Sequence, residues 1–153
     1  MIRVQREDFD LGAEISRMTK NRHGVGGVCA FTGLVRDMAP DSGKPGSMTL
    51  EHYPGMTEKE LQRIEAEALD RWPLDDTLII HRYGQLEAGE QIVLVVATSA
   101  HRDAAFEACR FLIDWLKTKA PFWKLEETGD GPKWVDAKET DEAAAARWGQ
   151  TEQ

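Results

Sequence analysis

Long apolar runs, cysteines and surplus positive charge are scarce in this sequence, and each scarcity excludes a class of protein. No apolar stretch approaches the ~20 residues that a membrane-spanning helix needs. The two cysteines, Cys29 and Cys109, stand in apolar contexts without CxxC or HxxxH spacing, so we expect buried thiols and neither a disulfide nor a metal site. Lys and Arg number 19 against 27 Asp and Glu, which argues against general binding to nucleic acid.

Length and composition predict one ordinary domain. The chain has 153 residues, of which 41% are hydrophobic and 30% charged, enough for a real core beneath a well-solvated surface. Neither a repeat nor a long linker divides residues 1–153. The first residues, MIRVQREDFD, have no apolar signal core and carry acids early, so a cytoplasmic location is expected.

Hydrophobic periodicity and breaker residues predict an α+β fold with mostly antiparallel strands and about four helices. The predicted strands are Ile2–Gln5, Val28–Arg36, Met48–Tyr53, Leu78–Tyr83, Gln91–Thr98, Phe122–Glu127 and Lys133–Val135. The predicted helices are Leu11–Thr19, one that begins near Thr57 and stops at Pro73, one from about Ala100 to Ala120, and one from Thr140 through Ala146. The run IVLVVA at Ile92–Ala97 is typical of a central strand that is covered on both faces.

Local patterns also predict how two of the helices begin and pack. Thr57 and Glu60 match a capping box, and Met56 and Leu61 occupy the two positions of a hydrophobic staple. The helix after Ala100 carries an apolar stripe at helical spacing. Its members are Ala105, Phe106, Cys109, Leu112, Ile113 and Leu116.

Three segments are predicted to be loops. Leu78–Tyr83 and Gln91–Thr98 are expected to be joined by a short turn around Gly89. The polar stretch Met38–Ser47 is expected to be a mobile surface loop. The glycine-rich stretch Asn21–Gly27 lacks the Lys-Ser/Thr of a phosphate loop, which favours a plain turn.

The most informative stretch is Ser99–Lys124, because it gathers cations in an acidic chain. His101 and Arg102 open a helix that follows a buried strand, where free N–H groups and the helix dipole favour an anion. Arg there opposes the dipole, which hints at function, although an exposed His-Arg pair on a solvated turn explains the residues equally well. Between Ala100 and Lys124, five Lys and Arg residues outnumber three Asp and Glu.

Two lysines bracket the far end of the same helix. Lys117 is also a favourable charge for a helix C-terminus, and Lys124 could be an ordinary surface lysine on a strand. A desolvated lysine beside another cation can instead act as a base or nucleophile. Arg36, at the end of a predicted strand, could add a phosphate contact.

Several segments, taken in order, resemble the molybdopterin synthase catalytic (large) subunit family. The matching segments are FTGLVRD, LEHYPGMTEKEL, IIHRYGQLEAGE, SAHRDAAFEAC, LKTKAPFWK and WVDAKE. The resemblance implies an α/β hammerhead fold and a sulfurtransferase of molybdenum cofactor biosynthesis. It implies that cyclic pyranopterin monophosphate becomes molybdopterin by gaining two dithiolene sulfurs, each donated as the C-terminal thiocarboxylate of a small ubiquitin-like Gly-Gly subunit.

The resemblance also implies an assembly and a set of site residues. The family forms a heterotetramer around a dimer of large subunits, without a permanently bound cofactor. By motif, Lys117 and Lys124 match the catalytic lysines. The residues that match the substrate-binding positions are Arg36, His101, Arg102, Leu34, Val35, Leu125 and Glu126. No cysteine of this chain need carry sulfur.

Two other functions compete with the synthase hypothesis. One is a docking module for a ubiquitin-like tail, which needs a groove but not the paired lysines. The other is a metal-free phosphohydrolase, which would cleave a generic phosphodiester without a partner. The presence of both lysines argues against the docking module, and turnover without a partner would distinguish the phosphohydrolase.

Overall fold

In the part of the chain that the structure describes, two four-stranded sheets carry the fold, and each draws its strands from distant parts of the sequence. The computed structural model describes residues 1–37, 41, 43, 46–128, 131–135 and 146–149. In chain order the elements are β1 (Ile2–Gln5), α1 (Leu11–Thr19), β2 (Gly27–Leu34), β3 (Ser47–His52), α2 (Met56–Arg71), β4 (Leu74–Arg82), β5 (Gly84–Glu87), β6 (Gln91–Ser99), α3 (Arg102–Lys119), β7 (Phe122–Thr128) and β8 (Gly131–Val135).

The first sheet has the order β1-β4-β6-β2, and the second has the order β5-β3-β7-β8. β1 and β4 are parallel, whereas the other described pairs are antiparallel. The predicted α+β class with mostly antiparallel strands is therefore confirmed. So is the predicted hairpin near the C-terminus, because β7 pairs with β8.

Helices cover both faces of the first sheet. Side chains alternate along β6, so that Leu94 and Val96 pack with Met18 of α1, while Val93 and Val95 belong to the core formed with α2 and α3. All four of these β6 residues are buried, which confirms the predicted central strand. None of the described helices is long and apolar enough to cross a membrane.

The start of α2 differs from the predicted capping box. The helix begins at Met56, one residue before Thr57, and its N-cap is Gly55 with φ of +85°. Glycine adopts this conformation without steric cost, and the Gly55 N–H donates to the Glu58 carboxylate at 2.6 Å. The predicted Thr57–Glu60 box is thus wrong, and so is the staple, because Met56 is 61% exposed.

The buried face of α3 also differs from the predicted stripe. Phe106 is 60% exposed, whereas Phe111 is fully buried and packs edge-on against Trp72 and Trp148. α3 touches α2 as well as the sheet, so its buried face turns toward α2 and away from Phe106. Cys109 lies on this buried face, as predicted.

The predicted short turn between Leu78–Tyr83 and Gln91–Thr98 is wrong. After β4 the chain passes Gly84, with φ of +92°, and enters β5, which pairs with β3 in the second sheet. Only then does it return to β6, which pairs with β4 as an antiparallel neighbour. A four-residue strand supplies too short a hydrophobic pattern to be recognised without its partner.

Two predictions fall largely on residues outside the described part of the chain. Within Met38–Ser47 only residues 41, 43, 46 and 47 are described, so the loop stays a prediction. The helix predicted from Thr140 is undescribed up to residue 145, and residues 146–149 are helical.

Burial predicts a large difference between two leucines on α2. Leu61 is 0% exposed and Leu69 is 46% exposed. Leu61→Ala should lower the free energy of unfolding by about 2–5 kcal/mol, because it leaves a cavity. Leu69→Ala should change it by about 0.5 kcal/mol or less, as expected for a surface position. Urea unfolding of both variants measures the contrast, and equal losses would contradict this core.

Candidate active site

The direction of α3 determines where its charged residues lie. Only Ala100 and His101 separate the end of β6 from the start of α3, so the helix must turn back over the sheet. It contacts both β6 and β2, and the Cys109 thiol lies 3.8 Å from the carbonyl oxygen of Val95 near the middle of β6. The end of α3 therefore lies over the end of the sheet where β6 begins.

The first group of predicted site residues stands at the start of α3. His101 is the N-cap, its side chain makes no capping hydrogen bond, and both His101 and Arg102 are exposed. Free N–H groups at a helix start attract anions. The glycine-rich turn packs against this point, because a Cβ on Gly26 would lie 2.2 Å from the carbonyl oxygen of Ala100. Gly26 thus permits a close approach of the two backbones that no side chain would allow.

The second group lies at the opposite end of the sheet. Lys117 is exposed in the last turn of α3, and Arg36 is exposed just beyond β2. The Val35 N–H donates to the carbonyl of Glu90 at 2.9 Å, which holds this segment beside the start of β6. Leu34 is 55% exposed, whereas Val35 is buried.

The remaining predicted residues lie in β7, which leaves α3 through Ala120 and Pro121. Lys124, Leu125 and Glu126 are described by their backbones alone, in register with Leu50, Thr49 and Met48 of β3. Their side chains lie outside what the structure describes. Phe122, at the start of the strand, is half-buried and stacks on His81 with ring centroids 3.8 Å apart.

Within one chain, the cations at the start of α3 lie far from those at its end. Lys117 follows Arg102 by fifteen residues of helix, which at about 1.5 Å per residue separates their backbones by about 22 Å. We call His101 and Arg102 the α3-start group, and Arg36 and Lys117 the α3-end group. The predicted phosphate contacts Arg36 and Arg102 therefore lie at opposite ends of the sheet.

Cys109 does not have the environment of an activated thiol. Cys109 is buried and Cys29 is half-buried, and both are free. Burial, followed by the neighbouring Cys29, raises the pKa of the Cys109 thiol, so it stays protonated at neutral pH. The described residues also contain no cluster of three or more His, Cys, Asp or Glu that could hold a metal ion.

Sequence patterns assigned no site role to Thr57 or His81, yet both contact the turn between the two predicted lysines. Thr57 donates to the Pro121 carbonyl at 3.1 Å, and His81 stacks on Phe122. Each contact joins residues more than 40 positions apart, and no local pattern reveals such a pairing. The sequence offered one signal, a hydroxyl residue just after the Pro54-Gly55 break, and its burial is visible only in the structure.

Known proteins resemble this chain over nearly its whole length. Residues 4–119 match the family described as MoaE protein. The molybdopterin synthase catalytic subunit of Mesorhizobium japonicum is 56% identical, over 96% of this chain and 92% of that protein. The structure of the molybdopterin biosynthesis MoaE protein from Burkholderia ambifaria has a TM-score of 0.83 at 50% identity, with 97% of both chains covered. Molybdopterin synthase from Staphylococcus aureus has a TM-score of 0.77 at 33% identity, over 88% of this chain and 96% of that chain.

The cysteine environments predict unequal reactivity. In the folded protein, iodoacetamide at about pH 8 should label Cys109 far more slowly than Cys29, because only an accessible thiolate reacts. Peptide mapping by mass spectrometry measures both rates. Unfolding in urea serves as the control and should remove the difference, and rapid labelling of Cys109 in the native protein would contradict its burial.

Proposed function

The chain belongs to the MoaE protein family, and from that membership we propose that it acts as the catalytic subunit of a molybdopterin synthase. It converts cyclic pyranopterin monophosphate into molybdopterin by inserting two sulfur atoms as a dithiolene. A relative named a catalytic subunit implies a further subunit, and here that partner is a small ubiquitin-like sulfur carrier with a C-terminal Gly-Gly thiocarboxylate. The observation that carries the catalytic assignment is Lys117, exposed at the end of the sheet from which Arg36 emerges.

Cationic side chains suit both reactants. The substrate carries a cyclic phosphate and the donor is a thiocarboxylate anion, so fixed positive charges hold both and offset charge that develops during transfer. Arg36, His101 and Arg102 orient the phosphate. The two arginines suit this role because guanidinium groups bind phosphate in a bidentate way. Lys117 acts on the acyl-sulfur group as an acid-base or a transient nucleophile, and Lys124 assists. The segments Leu34–Val35 and Leu125–Glu126 line the pocket.

A second copy of the chain completes the pocket. The two cationic groups are about 22 Å apart along α3, too far to hold one small substrate within a single chain. Among the described strands β2 lies at the edge of its sheet, and it exposes Val28, Phe31 and Leu34. Two β2 edges related by a two-fold axis run antiparallel, which sets the start of one β2 beside the end of the other. The α3-start group of one copy then approaches the α3-end group of its partner.

The remaining parts of the proposal concern cofactor and location. The enzyme keeps no permanently bound cofactor, since the sulfur arrives on the partner subunit. It works in the cytoplasm, where reducing conditions suit the two free cysteines. Neither the docking module nor the phosphohydrolase is favoured by a specific observation among the described residues.

Lys117→Ala should lower molybdopterin formation by at least about a hundredfold, as expected for loss of a catalytic acid-base or nucleophilic group. The assay combines the purified variant, cyclic pyranopterin monophosphate and thiocarboxylated partner subunit. Lys119→Ala is the matched control, because Lys119 is also exposed on the last turn of α3 and should retain activity. Near-normal product from Lys117→Ala would overturn its assignment.

Mixed dimers test whether the pocket is shared between copies. Arg102→Ala and Lys117→Ala should each be almost inactive alone, but a mixed dimer contains one site with both residues intact. The unfractionated mixture from random co-expression should therefore restore about a quarter of wild-type activity, from half of the dimers with one working site each. A mixture as inactive as the single variants would show that each pocket is built within one chain.

A further inference from the structure

Thr57 makes a buried hydrogen-bond bridge between two distant segments. The residue is 0% exposed. Its hydroxyl accepts a hydrogen bond from the Tyr53 N–H at 3.1 Å and donates one to the Pro121 carbonyl at 3.1 Å. Tyr53 precedes α2, whereas Pro121 lies 64 residues after Thr57, between α3 and β7. One hydroxyl group thus links the start of α2 to the turn after α3.

The position of this turn sets the relative placement of the two lysines. Lys117 lies four residues before Pro121 and Lys124 three residues after it. Pro121 has no N–H, so its carbonyl is its sole main-chain hydrogen-bonding group. Within the turn itself, the Phe122 N–H donates to the Ala120 carbonyl at 2.9 Å. The Thr57 hydroxyl donates to the Pro121 carbonyl and thereby ties the turn to the start of α2.

The start of α2 holds Thr57 firmly enough to serve as an anchor. The Thr57 N–H donates to the Tyr53 carbonyl at 2.9 Å, so backbone and hydroxyl both engage the same residue. The Lys59 N–H donates to the Gly55 carbonyl at 3.1 Å, and Glu58 accepts from Gly55. Leu61 and Ile64 then anchor the next turns of α2 in the core. The direction of the hydroxyl is therefore determined by a packed helix rather than by the turn that it holds.

We propose that Thr57 is a positioning residue for sulfur transfer. Its hydroxyl, oriented by the start of α2, holds the Pro121 turn and thereby places Lys117 and Lys124 relative to each other. This role rests on the proposed function, because it acts through the two lysines assigned there. Thr57 itself touches neither reactant, and its effect falls on the chemical step rather than on substrate binding.

Two substitutions at this position separate the hydroxyl from the bulk of the side chain. Thr57→Val keeps the shape and removes the hydrogen bonds, and it should lower kcat at least about tenfold with little change in KM for the pterin, because small misplacements of reacting groups are costly. Thr57→Ser keeps the hydroxyl and should remain within about twofold of wild type, since both hydrogen bonds can re-form. Molybdopterin formation with thiocarboxylated partner subunit measures both variants.

Thr77→Val is the matched control for lost stability. Thr77 is also buried, and its hydroxyl donates to the Glu65 carboxylate at 2.7 Å, away from the Pro121 turn. This variant should lower Tm without lowering kcat. If Thr57→Val likewise lowers Tm and keeps its kcat, Thr57 is only structural. If Thr57→Ser loses as much activity as Thr57→Val, the hydroxyl is not the group that matters.

The hydrogen-exchange rate of the Phe122 amide measures how often the Pro121 turn opens, independently of enzyme activity. Thr57→Val should speed this exchange about tenfold relative to Thr57→Ser, because the Pro121 turn opens more often once its anchor is lost. Equal exchange in the two variants would overturn the anchoring role. A wild-type protein that makes no molybdopterin would overturn the proposed function, whereas an active wild type with an equally active Thr57→Val overturns only the role of Thr57.

Discussion

The two-residue connection between β6 and α3 is the constraint on which the rest of the structure depends. A strand buried on both faces cannot lead into a long helix through Ala100 and His101 unless that helix folds back over the same sheet. This return packs Phe111 and Cys109 into the core and exposes both ends of the helix. It also determines that the cations at those ends lie on opposite sides of the molecule.

Separation of charge along α3 has a physical advantage and a structural cost. Like charges held about 22 Å apart lie beyond the Debye length of about 8 Å at physiological salt, so they do not destabilise the folded chain. Under the proposed function, the cost is that one chain alone holds only half of the site. Among the described strands, β2 lies at the sheet edge and exposes apolar side chains. Through this surface, in the proposed dimer, a second copy supplies the other cationic group.

Much of the fold could be predicted because local patterns carry it. β1 and α1 have the predicted bounds, Pro73 follows the end of α2, and the apolar run in β6 lies at the centre of its sheet. The failures share one cause, which is that the deciding contact is remote in sequence. The Thr57 hydroxyl donates to the Pro121 carbonyl instead of capping its own helix. Phe106 lies outside the face of α3 that meets α2. The short strand β5 is stabilised by its pairing with β3.

For the site, the sequence by itself determined the kind of chemistry. Residue types and their order identify the cations and the resemblance to a sulfurtransferase family, because such motifs consist of short contiguous segments. Only the tertiary structure decided that the cations form two groups and that Thr57 bridges α2 to the turn between the lysines. Distances across a fold depend on where the chain turns back, and no local spacing of residues contains that information.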